Sequence, residues 1–134
     1  MTDPYRDMYL AKADESLAGA VSEYVNGRYN NCANRAYYAC FQAAVAALMQ
    51  AGVGRADQAE QWGHGAVQAQ FVGELINRRK RYPSPFRETL IRGLRLRQTA
   101  DYTTERVSDV QASRGLARAR AFVAAIRAEG GEHR

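Results

Sequence analysis

The sequence has few of the residues that build disulfide frameworks, metal sites and proline-rich linkers. Its 134 residues include two cysteines, two histidines and three prolines. Cys32 and Cys40 are eight residues apart on a predicted helix, so their Cα atoms would be about 12 Å apart, too far for a disulfide bond. We therefore expect two buried free thiols. The two histidines, His64 and His133, form no cluster with metal-ligand spacing, and we expect no metal or other cofactor.

Long apolar runs are also absent. No segment approaches the roughly 20 apolar residues of a membrane span, and the first residues lack the apolar core of a secretory signal. We therefore expect a cytoplasmic protein with no membrane partner. The sequence contains no phosphate-binding glycine loop, dinucleotide fingerprint or nucleophile elbow, so the common catalytic motifs suggest no activity.

Lysine is scarce as well. Only Lys12 and Lys80 are lysines among 19 basic residues, and the net charge is +5 with a pI near 9.5. The guanidinium fork of arginine matches phosphate, which makes RNA or DNA a natural partner. The alternative is an ordinary arginine-rich surface, because +5 over 134 residues is a moderate charge.

The rest of the sequence predicts helices. The length favours one domain over residues 1–134, with a frayed tail from about residue 129, and apolar residues recur at intervals of three and four. We predict an all-α up-and-down bundle of about five helices. The first helix is expected from Tyr5 to Asn26-Gly27 and the second from Tyr29 to Ala51. After a loop over Gly52–Gly63, the third begins at Trp62-Gly-His-Gly, and the fourth extends from Phe86 to Tyr102 after a Ser84 cap and Pro85. The capping box Ser108–Gln111 begins the last helix.

The second predicted helix has two distinct faces. A small-residue face lets a neighbouring helix approach closely, includes Tyr37 as a predicted core residue, and is one reason to expect a homodimer; its members are Ala33, Ala36, Tyr37, Cys40, Ala44 and Ala47. A polar arc of roughly 100° carries Asn31, Asn34, Arg35, Tyr38 and Gln42. Polar groups on a central helix need partners. The arc therefore predicts either a hydrogen-bond network that fixes helix register or a polar site.

The fourth predicted helix carries the most unusual pattern. Its core-facing stripe of Phe86, Leu90 and Leu94 continues into Arg97 and Asp101. A desolvated charge is costly unless it is partnered, and Tyr102 adds a hydroxyl beside the pair. This end of the helix either locks two helices together or lines a polar pocket. A pocket shared with the polar arc would bring Asn34 or Tyr38 close to Arg97.

Two further features have open interpretations. His64, at the start of the third predicted helix, is either a cap or solvent-facing residue or part of a site. The basic run Asn77–Arg81 is either a solvated helix end that suits the C-terminal dipole or a contact for phosphate.

Three segments together resemble the small bacterial and archaeal HEPN-domain proteins. They are Asn34–Phe41, His64–Val67 and Arg97–Tyr102, and the resemblance extends over roughly Tyr5 to Ile126. It implies an α-helical bundle that dimerises. In ribonuclease members an Arg-x(4–6)-His motif from each subunit meets at the dimer cleft, where RNA is cut without a metal as the 2′-OH attacks the adjacent phosphate.

The resemblance implies a metal-independent endoribonuclease toxin of a toxin–antitoxin or phage-defence system. Its catalytic candidates are Arg97, Asp101 and Tyr102, and its RNA- or nucleotide-binding candidates are Asn34, Arg35, Tyr38 and His64. The sequence departs from the motif because Tyr102 stands where the histidine would be. In model peptides the tyrosine side chain has a pKa of about 10 and histidine about 6.5, so tyrosine is the poorer general base at neutral pH. The alternative is a non-enzymatic dimer that binds nucleotide or RNA, or that partners a nucleotidyltransferase or an antitoxin.

Overall fold

The computed structural model describes residues 4–53 and 63–132, with side chains to residue 129. All regular structure in these residues is helical, and no strand occurs among them, so the predicted all-α bundle of about five helices is confirmed. The elements are α1 (Pro4–Val25), α2 (Tyr29–Gln50), α3 (His64–Gln70) with a π-helical continuation (Phe71–Arg78), a 3₁₀ turn (Ser84–Glu88), α4 (Thr89–Tyr102) and α5 (Asp109–Glu132). No helix in this described part is long and apolar enough to cross a membrane.

α2 is the central helix of the bundle. It packs against α1, α4 and α5, and every residue from Ala43 to Met49 is buried. A helix that is apolar on all sides belongs in a protein interior. Cys32 and Cys40 are buried and free, as predicted, and Tyr37 is a core residue with 2% exposure. The small-residue face lies inside the bundle, so it offers no surface for a second copy of the chain.

Local signals predicted most helix ends. Gly27 lies in the turn after α1 with φ +75°, and Gly52 lies just after α2 with φ +73°. Glycine adopts this left-handed backbone conformation at little cost. The capping box is confirmed, since the Ser108 N–H donates to Gln111 Oε1 at 2.9 Å and the Gln111 N–H to Ser108 Oγ at 3.1 Å. Most of the predicted loop, residues 54–62, lies outside the described residues.

Three predicted helix limits differ from the structure. The third helix changes from α- to π-helical hydrogen bonding after Gln70. At its end the Arg79 N–H donates to the carbonyl of Glu74, five residues earlier, at 3.0 Å. Ser84 does not cap the fourth helix; Pro83 precedes the 3₁₀ turn, which closes with the Phe86 N–H on the Pro83 carbonyl at 3.0 Å. The backbone of α5 stays helical to Glu132, through part of the expected frayed tail, and residues 133 and 134 lie outside the described chain.

An aromatic cluster closes the core where the π-helical segment meets α5. Phe122 lies with its ring centroid 5.1 Å from that of Phe71 and 5.4 Å from that of Phe86, and Tyr82 stacks on Phe71 at 5.3 Å. Phe122 is fully buried. This cluster holds the 3₁₀ turn against α5 and thereby orients α4.

Candidate functional site

The Arg97 guanidinium lies between three tyrosine rings. Its Cζ atom is 5.1 Å from the ring centroid of Tyr38, 5.7 Å from that of Tyr102 and 5.9 Å from that of Tyr37. Distances within about 6 Å permit cation–π attraction, which strengthens as water is removed. Only 14% of the Arg97 side chain is exposed. The guanidinium of Arg97, on α4, thus lies against α2 beside Tyr38 of the polar arc. This is the arrangement expected for a pocket shared by the two helices.

Asp101 joins α2 to α4 at the same place. Its Oδ2 atom lies 3.4 Å from Arg97 Nε and accepts a hydrogen bond from Asn34 Nδ2 at 2.8 Å. The Arg97 Nε–H does not form a hydrogen bond to Asp101 despite this distance. The buried N–H therefore has no hydrogen-bond partner among the described residues. A buried donor without an acceptor is costly. The site therefore combines a balanced ion pair with a buried donor that Asp101 approaches without forming a hydrogen bond.

A tyrosine–histidine pair lies next to this ion pair. The Tyr37 hydroxyl and His64 Nδ1 are hydrogen-bonded at 2.6 Å, and the His64 ring packs edge-on against Tyr37 and Phe41 with centroids 5.2 and 5.0 Å away. Burial, together with the positive charge of Arg97, lowers the pKa of the His64 imidazole from 6.5. Burial raises the pKa of Tyr37, so its hydroxyl stays protonated. His64 is therefore a neutral imidazole at pH 7.

The close contact of α2 with α4 sets this geometry. A Cβ atom at Gly93 would lie 3.2 Å from Cδ1 of Tyr37, so the glycine lets the two helices approach. Arg97 is one helical turn further along α4 and consequently lies over the rings of Tyr37 and Tyr38. His64 reaches the same region from the first turn of α3.

A family model for the HEPN domain matches residues 7–129. The match spans nearly the whole chain and includes every residue of the Arg97 site. The chain belongs to the HEPN domain family. HEPN domains are often associated with ribonucleases and toxins, and they often act as dimers. No curated protein sequence matches the chain.

Tyr102, which replaces the histidine of the HEPN ribonuclease motif, lies at the rim of the site. Its side chain is 71% exposed, and its hydroxyl oxygen is 3.5 Å from Arg97 Nη2, a long hydrogen bond. The ring covers the guanidinium from the solvent side. The hydroxyl is thus accessible to a bound molecule and adjacent to the charge that would hold it.

The polar arc of α2 serves two neighbours rather than one site. Asn34 and Tyr38 face α4, as described above. The other three members face α1: Asn31 donates to Glu23 at 2.9 Å, Gln42 is hydrogen-bonded to Ser16 at 2.8 Å, and the exposed Arg35 lines a groove with Lys12 and Gly19. Arg35 therefore does not join the Arg97 site of this HEPN domain. The two edges of the arc therefore meet different partners, α4 on one side and α1 on the other.

Two of the other sequence candidates have structural contacts. His64 does not cap α3, whose N-cap is Gly63, and it is held by Tyr37 instead of facing solvent freely. In the basic run, Arg78 pairs with Glu74 at 2.8 Å and Arg79 donates to the Ala51 carbonyl at 3.0 Å. These contacts favour the helix-end interpretation of the run. Among residues 4–53 and 63–132 no group of three or more His, Cys, Asp or Glu side chains could hold a metal ion.

Proposed function

We propose that this HEPN protein is a metal-independent endoribonuclease, acting as a homodimeric toxin of a toxin–antitoxin or phage-defence system. One observation carries the proposal: a largely desolvated arginine, held between three tyrosine rings, lies near a histidine whose pKa is lowered first by burial and then by the charge of this arginine. Family membership supports the substrate class, since HEPN domains are often found in ribonucleases.

Arg97 is the group that binds the scissile phosphate. Its guanidinium is oriented by Asp101 and by the rings around it, so it needs little reorganisation when negative charge develops on the phosphate oxygens. Attack by the 2′-oxygen forms the new P–O bond and breaks the bond to the 5′-oxygen, which leaves a 2′,3′-cyclic phosphate and a 5′-hydroxyl. The guanidinium is attracted more strongly by the charge of this transition state than by the ground-state diester.

His64 supplies the proton transfer that the motif histidine would perform. A neutral imidazole can take the proton of the 2′-OH, and its lowered pKa keeps it neutral at pH 7. When Nδ1 carries the ring proton and donates to the Tyr37 oxygen, Nε2 has a free lone pair, and Nε2 makes no hydrogen bond to the described residues. The exposed Tyr102 hydroxyl donates a hydrogen bond to the phosphate or leaving oxygen, and the leaving 5′-oxygen takes its proton from water.

A second function is favoured by a separate observation. Asp101 already balances the charge of Arg97 and is itself bonded to Asn34. An internally neutralised arginine suits a non-enzymatic dimer that binds nucleotide or RNA through its tyrosine rings, or that serves as the partner of a nucleotidyltransferase. Binding without cleavage is the outcome that distinguishes this function.

The test is cleavage of varied RNA in EDTA. Arg97→Ala should abolish cleavage, and His64→Ala should lower the rate by a factor of about 10² or more, the usual contribution of a general base. Tyr102→Phe should slow cleavage, whereas Tyr102→His, which restores the motif, should keep or raise it. Arg35→Ala, an arginine of α2 outside the site, is the matched control and should cut RNA like the wild type. If the wild-type protein leaves all RNA intact and binds none, the ribonuclease proposal is wrong.

A further inference from the structure

Two rows of arginine face each other across the groove between α4 and α5. On α4, Arg92, Arg95 and Thr99 follow one another at intervals of three and four, and on α5 Gln111, Arg114 and Arg118 do the same. The groove has a volume of about 450 Å³. A Cβ at Gly115 would lie 3.1 Å from Cδ2 of Leu96, so the glycine lets the two helices come close enough for both rows to line one groove.

The positive charge of this groove is mostly unpaired. The one carboxylate in its lining, Glu88, pairs with Arg92 at 3.0 Å. Within residues 4–53 and 63–129, Arg95, Arg114 and Arg118 have no ion-pair partner. Burial, followed by the charges of Arg92 and Arg114, lowers the pKa of the Arg118 guanidinium. Like charges held together cost stability in the free protein, and a bound anion would offset that cost.

The chemistry of the lining favours a chain of phosphates. Four guanidinium groups are accompanied by the hydroxyl of Thr99 and the amide of Gln111, all of which can donate hydrogen bonds to phosphate oxygens. Leu96 is the single apolar residue of the lining and no aromatic ring belongs to it. A protein partner would need apolar anchors, and base recognition in single strands would need stacking surfaces; a phosphodiester backbone needs neither.

We propose that the α4–α5 groove binds the phosphodiester backbone of RNA, independently of base sequence. The inference rests on the RNA function proposed above and adds a second contact site to it. Arg92, Arg95 and Thr99 project from the side of α4 roughly opposite Arg97, about 140–160° away by helical spacing, so the groove is separate from the Arg97 site. RNA held there would be retained on the protein while a different segment of it reaches Arg97.

The experiment measures binding of a fluorescent 20-nucleotide 2′-O-methyl RNA, which lacks the attacking hydroxyl and therefore cannot be cleaved by the proposed reaction. Fluorescence anisotropy is recorded over a series of salt concentrations for the wild type and for Arg95→Gln/Arg114→Gln. Each phosphate contact of a single strand contributes about 0.7 to the slope of log K against log salt, so the double variant should lose up to about 1.4 of slope together with affinity. Its melting temperature should be unchanged or higher, because repulsion is relieved.

The matched control is Arg106→Gln/Arg120→Gln, which removes the same charge from two exposed arginines outside the groove. It should bind with nearly the wild-type slope. Equal losses in both variants would show a general charge effect and would overturn the proposal, as would an unchanged affinity of the groove variant. Poly-glutamate that displaces the RNA at equal charge concentration would make the groove a site for acidic peptides and would also overturn it. Binding without cleavage of ordinary RNA would disprove only the ribonuclease proposal.

Discussion

Arg97 and His64 influence each other although they come from different helices. The guanidinium disfavours a second positive charge nearby, and burial of the imidazole acts in the same direction. The Tyr37 hydroxyl, from a third element, determines which ring nitrogen of His64 is bonded. The imidazole of His64 is thus neutral at pH 7, which is what proton abstraction at neutral pH needs.

The first prediction concerns pH. His64 should titrate below pH 6.5, and Arg97→Ala should move its pKa back toward that value, because one of the two causes is removed. The unfolded chain binds a proton near pH 6.5 while the folded chain binds it only at lower pH. Stability from this group is therefore complete above pH 6.5 and decreases as the pH falls from there toward the folded pKa. The acid limb of the cleavage rate should follow the same lowered pKa.

NMR titration of the imidazole C–H signals measures this pKa, and the spectrum of His64→Ala assigns the signal. A His64 pKa at or above 6.5 would contradict the prediction and would remove the reason to prefer His64 as the base.

The second prediction separates the hydroxyl of Tyr37 from its ring. Tyr37→Phe removes the bond to His64 and should lower the free energy of unfolding by about 1 kcal/mol. The cleavage rate should fall with little change in KM, since the histidine loses its orienting partner. Urea unfolding and steady-state kinetics measure the two effects. Tyr38→Phe is the control for stability, because the Tyr38 hydroxyl makes no hydrogen bond to the described residues. Equal loss in both variants would mean that the Tyr37–His64 bond contributes nothing.

At the scale of the helices, α4 packs closely against two neighbours, α2 on one face and α5 on another. Gly93 lets one face approach Tyr37 of α2, and Gly115 of α5 lets Leu96 on another face approach α5. A Cβ atom added at either glycine would lie closer to its neighbour than ordinary van der Waals contact, but the neighbours differ. Tyr37 is buried and bonded to His64, whereas Leu96 is half-exposed and can change rotamer.

The third prediction compares these two glycines. Alanine gains up to about 1 kcal/mol over glycine in a helix interior, while overpacking a rigid neighbour costs about 1–3 kcal/mol. Gly115→Ala should therefore keep or raise the melting temperature. Gly93→Ala should lower stability by about 1 kcal/mol and reduce RNA cleavage, because Arg97 is displaced from the rings. Thermal unfolding by circular dichroism measures both. A stabilised Gly93→Ala variant with full activity would refute this account of the α2–α4 contact.

At the scale of the whole molecule, three of the five exposed large apolar side chains among the described residues lie at one end of the bundle. Val25 ends α1, Tyr102 ends α4 and Val110 begins α5, and the antiparallel order of the helices brings these three positions to the same end. The Tyr24 hydroxyl donates to Asp109 at 2.5 Å, which ties α1 to α5 there. Since the small-residue face of α2 is buried within the monomer, this end is the surface we expect a homodimer to use.

The fourth prediction is a dimer whose mass is twice 14.9 kDa in light scattering at micromolar concentration. Val110→Glu should shift it toward monomer, because a charge would be buried in the interface. Met8→Glu is the control: Met8 is 55% exposed and Val110 56%, but Met8 lies near the other end of α1. A wild-type monomer, or equal effects of the two variants, would exclude this dimer surface.

The helices and the core position of α2 could be predicted from the sequence because they depend on local interactions. The turn at Asn26-Gly27 and the capping box at Ser108–Gln111 act over a few residues. The periodicity of α2 identified Tyr37 as core, and the spacing of Arg97 and Asp101 identified an ion pair within one helix. A pocket shared with the polar arc required Asn34 or Tyr38 to lie near Arg97, and the Tyr38 ring does so.

The remaining features depend on how the helices cross. The Asn34–Asp101 bond joins residues 67 apart and the Tyr37–His64 bond residues 27 apart, and no local spacing specifies either. Helical spacing could not show that the polar arc divides between α1 and α4, so it did not separate Arg35 from Asn34 and Tyr38. The α4–α5 groove likewise exists only where two separate helices meet at Gly115. The sequence alone determined which residues are helical and which faces are apolar, because those are properties of a single segment; packing of the segments decided which polar groups share a site.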